Sequence, residues 1–180
     1  MTTTSAIILD SLGRVHELIP VLLKGLDRDD VLWQPDPGSN SIGWLIWHLT
    51  RVEDDHLADM GGKEQVWVAG WREKFGLPYA PDAHGYGMGP DDVAAFDIAS
   101  VDLLTGYAAA VAEQANSIVQ ALTDADYDRI IDTRWDPPVT VAVRLVSVMN
   151  EVAQHVGQAG YVRGLRERAI NRDSAWAGHA

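Results

Sequence analysis

The residue types that could do chemistry lie in two stretches far apart in the chain. Glu151 and His155 are four residues apart in an apolar-periodic segment. On a helix they would share one face, with Cβ atoms roughly 6 Å apart. His48 lies in a tryptophan-containing stretch, residues 44–49. Two imidazoles and one carboxylate can hold a catalytic metal ion, because three protein ligands leave a position open for water or substrate.

The same pattern has a simpler interpretation. Glu and His four residues apart occur often on exposed helix faces, so Glu151 and His155 could form a plain hydrogen bond while His48 is a core histidine. Against this, Glu151 lies among valines and alanines, where an unpaired carboxylate is costly and a divalent cation removes the cost. Zinc is the leading metal for this ligand set, which also matches the two-histidine, one-carboxylate set of non-haem iron oxygenases.

Three further side chains could assist such a site. Asp55 lies two turns beyond the first candidate histidine and could accept a hydrogen bond from it. Gln158 could bind a metal-bound water or substrate, or pack as an ordinary helix glutamine. Arg163, two turns beyond the second histidine, could contact an anionic substrate group, or pair with a neighbouring acid such as Glu167.

Four amphipathic segments of about 20 residues must position these groups, and they predict an all-α four-helix bundle. No strand pattern competes with them. Pro20 should kink or split the first helix, and Gly61 and Gly62 should end the second. The predicted helices span residues 5–27, 41–60, 99–122 and 139–166.

A long connector, residues 61–98, joins predicted helices 2 and 3. It is long enough to be a crossover that lets these two helices run parallel. Irregular stretches of this length are uncommon in compact domains and often functional. Its aromatic residues among glycines fit a folded lid and, equally, a crossover that packs aromatics over the end of the bundle.

Other polar residues near the candidate ligands are interpreted more simply. Glu53, Asp54 and Asp55 form an acidic run that predicts a mostly solvated face. His56 and His84 have no partner at ligand spacing, so we expect them on the surface or in a loop.

Composition bounds the function classes. The 180 residues suit one domain, residues 1–166, followed by a polar tail at 167–180. The net charge of -12 disfavours nucleic acids and anionic membranes. The sequence contains no cysteine, no basic leader and no apolar run of membrane-spanning length, so we expect a cytoplasmic protein. The sequence leaves open whether two chains pair as a homodimer.

The stretches at residues 41–49 and 150–158, with the tryptophan- and glycine-rich connector, resemble the DinB-like superfamily. Within it, the sequence is most similar to the N-terminal domain of mycothiol-dependent maleylpyruvate isomerase and the actinobacterial thiol S-transferases. The resemblance covers residues 5–166. It implies a four-helix bundle with a long crossover between helices 2 and 3, and a divalent metal, usually zinc, held by the residues matching His48, Glu151 and His155. It also implies a small thiol co-substrate such as mycothiol, activated as thiolate.

The sequence departs from this family at informative positions. Many members have His where Gln158 stands and Asp where Gly160 stands, so the groups that orient the ligands should differ here. The isomerase also carries a further C-terminal domain that this sequence lacks, so the isomerase reaction is not assigned. The expected function is a metal-dependent transferase that activates a small thiol for attack on a small electrophile. The alternatives are a metal-dependent hydrolase or oxygenase at the same triad, or a non-catalytic metal-binding stress-response bundle.

Overall fold

The computed structural model describes the backbone of residues 2–177 and the side chains of residues 2–170. Long helices dominate it and confirm the all-α class. In chain order the elements are α1 (Thr4–Leu23), α2 (Arg28–Leu32), α3 (Ile42–Gly61), a π-helical turn (Trp67–Trp71), α4 (Arg72–Phe75), α5 (Pro90–Ala94), α6 (Asp102–Ala121), a 3₁₀ turn (Asp124–Asp128), β1 (Ile130–Asp132), β2 (Val139–Thr140) and α7 (Val141–Ala177).

The four long helices form the predicted bundle. Helix α3 packs against α6 and α7, and α1 packs against the same two helices. The Tyr107 hydroxyl of α6 donates to Asp54 of α3 and, further along both helices, Gly61 lies against Ile118. Helices α3 and α6 therefore run parallel, as a long crossover between them requires.

The ends of α3 follow from local sequence. The Ser41 side chain accepts a hydrogen bond from the backbone N–H of Trp44, which satisfies one of the free donors of the first turn. Gly62 adopts the left-handed conformation with φ of 60°, and its N–H bonds to the carbonyls of Ala58 and Asp59. Both predicted boundaries of this helix are confirmed.

Helix α1 differs from the prediction in where it ends. Pro20 does not split it, although the carbonyl of His16 loses its usual donor because proline has no N–H. The helix stops at Leu23, and a separate short helix, α2, begins after a capping box formed by Asp27 and Asp30.

One small feature of the fold is not predicted by the sequence and leaves the all-α class unchanged. A two-stranded antiparallel ribbon, β1 and β2, pairs Ile130 with Thr140 and Asp132 with Val139. Two and three residues are too few to show the period-two alternation by which a strand is recognised in sequence.

Helix α7 extends beyond its predicted end at residue 166 and runs to Ala177. Most of the predicted tail is thus helical backbone, and its last three residues lie outside the described part of the chain. Neither α7 nor any other described helix combines the length and apolar composition needed to cross a membrane.

The predicted acidic face of α3 is largely buried, which corrects the interpretation of residues 53–55. Glu53 and Asp54 are each 2% exposed. Both oxygens of Glu53 lie within hydrogen-bond distance of His16 Nε2 on α1, at 2.9 and 3.0 Å. Asp55 is the partly exposed member of the run. Charged residues can occupy a core where each finds a partner, and a residue run alone does not show those partners.

Asp54 belongs to a closed polar cluster that attaches the connector to α3. Its carboxylate accepts hydrogen bonds from the backbone N–H groups of Val66 and Trp67, at 2.9 and 2.8 Å, and from the Tyr107 hydroxyl at 2.7 Å. The fully buried Arg51 guanidinium lies 3.5 Å from it. These bonds fix the start of the connector.

The aromatic residues of the connector support the crossover interpretation. Trp67 and Phe75 are buried, and both rings pack near Tyr107 of α6, at 5.4 and 5.7 Å between centroids. Tyr86 differs, because its side chain is exposed. The connector therefore covers one side of the bundle with its first half and reaches the surface near Tyr86.

Candidate metal centre

The structure brings the three predicted ligands together. His155 Nε2 lies 3.0 Å from Glu151 Oε1, and His48 Nε2 lies 3.4 Å from the same oxygen. One ligand atom from each residue lies within 4.8 Å of the others. A tetrahedral zinc ion with bonds of about 2.0–2.2 Å separates its ligand atoms by about 3.3–3.6 Å. The described triad fits such an ion with small adjustments.

The helix arrangement explains this convergence. Glu151 and His155 share one face of α7, one turn apart. Helix α3 runs antiparallel to α7, since His48 contacts Glu151 while His56, further along α3, contacts Arg144 near the start of α7. Residues a hundred positions apart therefore meet where the two helices face each other.

His48 is held in one orientation and one tautomer. Its ring stacks on Trp44, with centroids 4.8 Å apart and planes inclined by 20°. Its Nδ1 donates to the backbone carbonyl of His84. A carbonyl only accepts, so the proton is on Nδ1 and the Nε2 lone pair points toward Glu151. Burial lowers the pKa of His48, which keeps the imidazole neutral, the form that binds metals.

Gly85 makes the contact between His84 and His48 possible. Its φ of +99° is a conformation that residues with a side chain rarely adopt. A Cβ at this position would overlap Nδ1 of His48. Sequence reasoning missed this residue because nothing in the order of residues shows which of the connector's glycines approaches α3.

His155 has a comparable partner in Gln158. The Gln158 side-chain oxygen lies 2.9 Å from His155 Nδ1. In this arrangement the Nδ1 proton is donated to the amide oxygen, and Nε2 is left to face Glu151. Gln158 therefore orients a candidate ligand, a role different from the predicted contact with bound water or substrate.

Two other predicted helpers have different partners. Asp55 accepts a hydrogen bond from Gln65 Nε2 at 2.8 Å and lies beside His56. The predicted role of Asp55, orienting His48, is instead taken by the backbone carbonyl of His84. Arg163 pairs with Glu167 at 2.8 Å, the alternative considered from the sequence.

Arg163 also closes the C-terminal end of α1. Its Nη1 donates to the carbonyl of Leu22 at 2.6 Å, one of the last carbonyls of that helix, which have no intrahelical donor. The side chain is thus engaged at the junction of α1 and α7, and we leave it out of the candidate site.

A cleft of about 300 Å³ opens beside Glu151. Its wall includes His84, which lies in a loop of the connector as expected, and His56, which is half-buried on α3. Burial lowers the pKa of His56, and the neighbouring Arg144 guanidinium lowers it further. The residues lining this cleft are Val52, Asp55, His56, His84, Tyr86, Ser147, Val148 and Glu151.

The donor set has the chemistry of a cation site. With both Nδ1 protons donated elsewhere, two nitrogen lone pairs and a carboxylate oxygen face one another within 4.8 Å. Three such acceptors repel one another unless a proton or a cation lies between them. Burial opposes protonation of His48, and a divalent cation supplies the positive charge that the three acceptors need.

Comparison with known proteins places this arrangement in context. The sequence profile of the DinB superfamily matches residues 11–159, a span that includes all three candidate ligands. The crystal structure of a conserved protein from Enterococcus faecalis is similar, with a TM-score of 0.85 and 29% sequence identity, over 91% of this chain and 96% of that chain. No curated protein matches the sequence.

Proposed function

The chain belongs to the DinB superfamily, and we propose that it is a metal-dependent transferase, with zinc the leading metal, that activates a low-molecular-weight thiol for attack on a small electrophile. The observation that carries the proposal is the convergence of three acceptor atoms beside an open cleft. A purely structural cluster would be closed by donors, whereas this one is open on the side of Glu151, whose side chain is 35% exposed.

Each residue has a distinct role in the proposal. His48 and His155 would hold the ion through Nε2, and Glu151 through a carboxylate oxygen. The His84 carbonyl and Gln158 keep the two rings oriented. When bound, a divalent ion lowers the pKa of a coordinated thiol, so that the reactive thiolate is present at neutral pH.

The cleft supports a small-molecule reaction. Its volume of about 300 Å³ is at the lower end of the range for small-ligand sites. Val52 and Val148 give it apolar walls beside Glu151, which would displace water from a bound thiol and its electrophile. The resemblance to thiol S-transferases, carried by the stretches at residues 41–49 and 150–158, is what favours a thiol such as mycothiol over other substrates.

A rate measurement on the metal-loaded protein tests the proposal. Protein reconstituted with one equivalent of zinc should accelerate the loss of a free thiol with monochlorobimane or chlorodinitrobenzene, assayed with mycothiol, cysteine and glutathione. His155→Ala should abolish the acceleration, since it removes a ligand. Gln154→Ala should retain it, because Gln154 is exposed and its described hydrogen bond lies within α7.

The outcomes separate the alternatives. Bound zinc without acceleration for any thiol would overturn thiol activation and would favour a hydrolase, an oxygenase or a non-catalytic metal-binding bundle. Absence of stoichiometric metal would overturn the site itself. Circular dichroism of His155→Ala checks that the helices persist, so that a loss of rate reports the site.

A further inference from the structure

A second, strongly polar cleft of about 520 Å³ adjoins the cleft beside Glu151. The two share Asp55 and His56 as lining residues, so they are adjacent along the seam between α3 and α7, and together we call them the groove. The polar cleft is lined by Asp55, His56, Asp59, Gln65, Ile131, Asp132, Thr133, Arg134 and Arg144. We propose that this polar cleft binds the tail of the thiol co-substrate and that Arg144 is the residue that selects it; the inference rests on the proposed function.

Helix geometry gives the length of the groove. Arg144 precedes Glu151 by seven residues on α7, and His56 follows His48 by eight residues on α3. At 1.5 Å per residue these separations are about 10 and 12 Å along the helices. Because the helices are antiparallel, both separations lead to the same place, where Arg144 Nη1 lies 3.4 Å from His56. A ligand that spans the groove must reach about 10 Å beyond its sulfur.

Arg144 has hydrogen-bonding capacity left for a ligand. Its Nη2 donates to Asp132 at 3.2 Å, and its Nη1 donates to the His56 ring at 3.4 Å. That carboxylate is already held by Arg134, through Nε at 2.9 Å and Nη2 at 2.8 Å. A guanidinium carries five donors. Asp132 therefore stays paired if Arg144 is replaced, and Arg144 can turn its remaining donors toward the cleft.

The charges of the polar cleft indicate the class of tail. Three aspartates, Asp55, Asp59 and Asp132, face two arginines, Arg134 and Arg144. This mixture of donors and acceptors suits hydroxyl and amide groups, which both donate and accept. An anionic tail would meet the excess of carboxylates here and the net charge of -12 of the whole chain. The favoured ligand is therefore a thiol with a neutral, hydrogen-bonding tail.

Binding of three defined thiols to the cobalt-loaded protein tests this inference without relying on turnover. The probes are N-acetylcysteine amide, the same group extended by serine and asparagine, and the same group extended by two glutamates. Each Kd is read from the thiolate-to-cobalt charge-transfer band. The neutral extended thiol should bind about tenfold tighter than the short one, the gain expected from hydrogen bonds to a charged group.

Variants assign that preference to the groove. Arg144→Gln should reduce the ratio of the two Kd values to about one, whereas Arg14→Gln, at an exposed pair with Asp10, should leave it unchanged. Asp59→Ala, at an exposed position in the same cleft, should reduce the ratio about threefold and serves if Arg144→Gln folds poorly.

Equal affinities for all three thiols, or a preference that survives both cleft variants, would overturn the tail site and leave the proposed function standing. Tightest binding of the diglutamate thiol would overturn the charge assignment. If no thiol produces the charge-transfer band, thiol binding itself fails, and the proposed function and this inference fall together.

Discussion

Two polar clusters that both include residues of α3 are built in opposite ways. The first surrounds Asp54, whose buried carboxylate receives two backbone N–H groups, the Tyr107 hydroxyl and the charge of Arg51. The second surrounds Glu151, where two histidine nitrogens and a carboxylate oxygen converge and the described Nδ1 protons are donated elsewhere.

The comparison shows that burial alone does not identify a binding site. The Asp54 side chain has no exposed surface, whereas the Glu151 side chain is 35% exposed. A carboxylate whose acceptor capacity is used by fixed donors stabilises the fold and has nothing left to bind. A carboxylate that meets only other acceptors, next to a cleft, is arranged for a cation.

The closed cluster also supports the open one. Arg51, which pairs with Asp54, donates through Nε to the backbone carbonyl of Ala83 at 3.1 Å. The next residue, His84, supplies the carbonyl that orients His48. The structural cluster thus fixes the connector at the place where it touches the candidate metal ligand.

The largest expected effect is on the closed cluster. Asp54→Ala should lower the free energy of unfolding by about 3–5 kcal/mol, because it leaves the Arg51 charge buried without its partner. Asp10→Ala removes an exposed partner of Arg14 and should leave stability nearly unchanged. Urea unfolding of both variants measures this. Equal, small losses would show that the Asp54 cluster is not structural.

The open cluster should respond to metal instead. Zinc at a hundred times its Kd should raise the free energy of unfolding of the unaltered protein by about 2.7 kcal/mol. Glu151→Gln should lose that gain, whereas Glu113→Gln, an exposed carboxylate on α6, should keep it. Melting temperatures with and without zinc provide the readout, and a gain that survives Glu151→Gln would place the ion elsewhere.

Gly85 and Gly87 form a matched pair that tests the link between the clusters. Both have positive φ, but only at Gly85 would a Cβ meet another residue, His48. Gly85→Ala should weaken zinc binding about 10–100-fold by displacing the His84 carbonyl. Gly87→Ala introduces the same backbone strain, because its φ is also positive, but no contact with His48. It should leave zinc affinity near its original value. Competition with a chelating dye measures both, and identical affinities would remove the orienting role of the loop.

The smallest effect is expected at Gln158. Gln158→Ala removes the acceptor for His155 Nδ1 and should weaken zinc binding about tenfold, the lower end for such partners, because water can replace an exposed amide. Gln154→Ala, one turn earlier on α7, is the control. A change at Gln154 as large as that at Gln158 would point to a general effect on the helix.

The sequence predicts one part of this comparison far better than the other. Periodic apolar residues place the long helices, and the four-residue spacing of Glu151 and His155 predicts their shared face, because helical periodicity is a local property. His48 joins them through the antiparallel packing of α3 and α7. His48 could be grouped with these two distant residues because two imidazoles and a carboxylate form a common set of metal ligands.

The contacts that could not be predicted from the sequence are made by the connector. The acidic run was predicted to be solvated because its hydrogen-bond donors are not visible in the sequence. Asp54 is buried against the N–H groups of Val66 and Trp67, which are backbone groups in an irregular segment. The partner of His48 is likewise a backbone carbonyl, which has no signature in side-chain types. Where backbone groups of a loop supply the hydrogen bonds, the pattern of side chains says little about the contacts.

The most direct test of the account is titration of the metal-free protein with cobalt, followed by visible absorption. We predict saturation at one ion per chain, with a spectrum of a four- or five-coordinate site, and no saturable absorption in His155→Ala at the same concentrations. Failure of the unaltered protein to saturate at one equivalent, or an unchanged titration in His155→Ala, would contradict the assignment of His48, Glu151 and His155 as a metal centre.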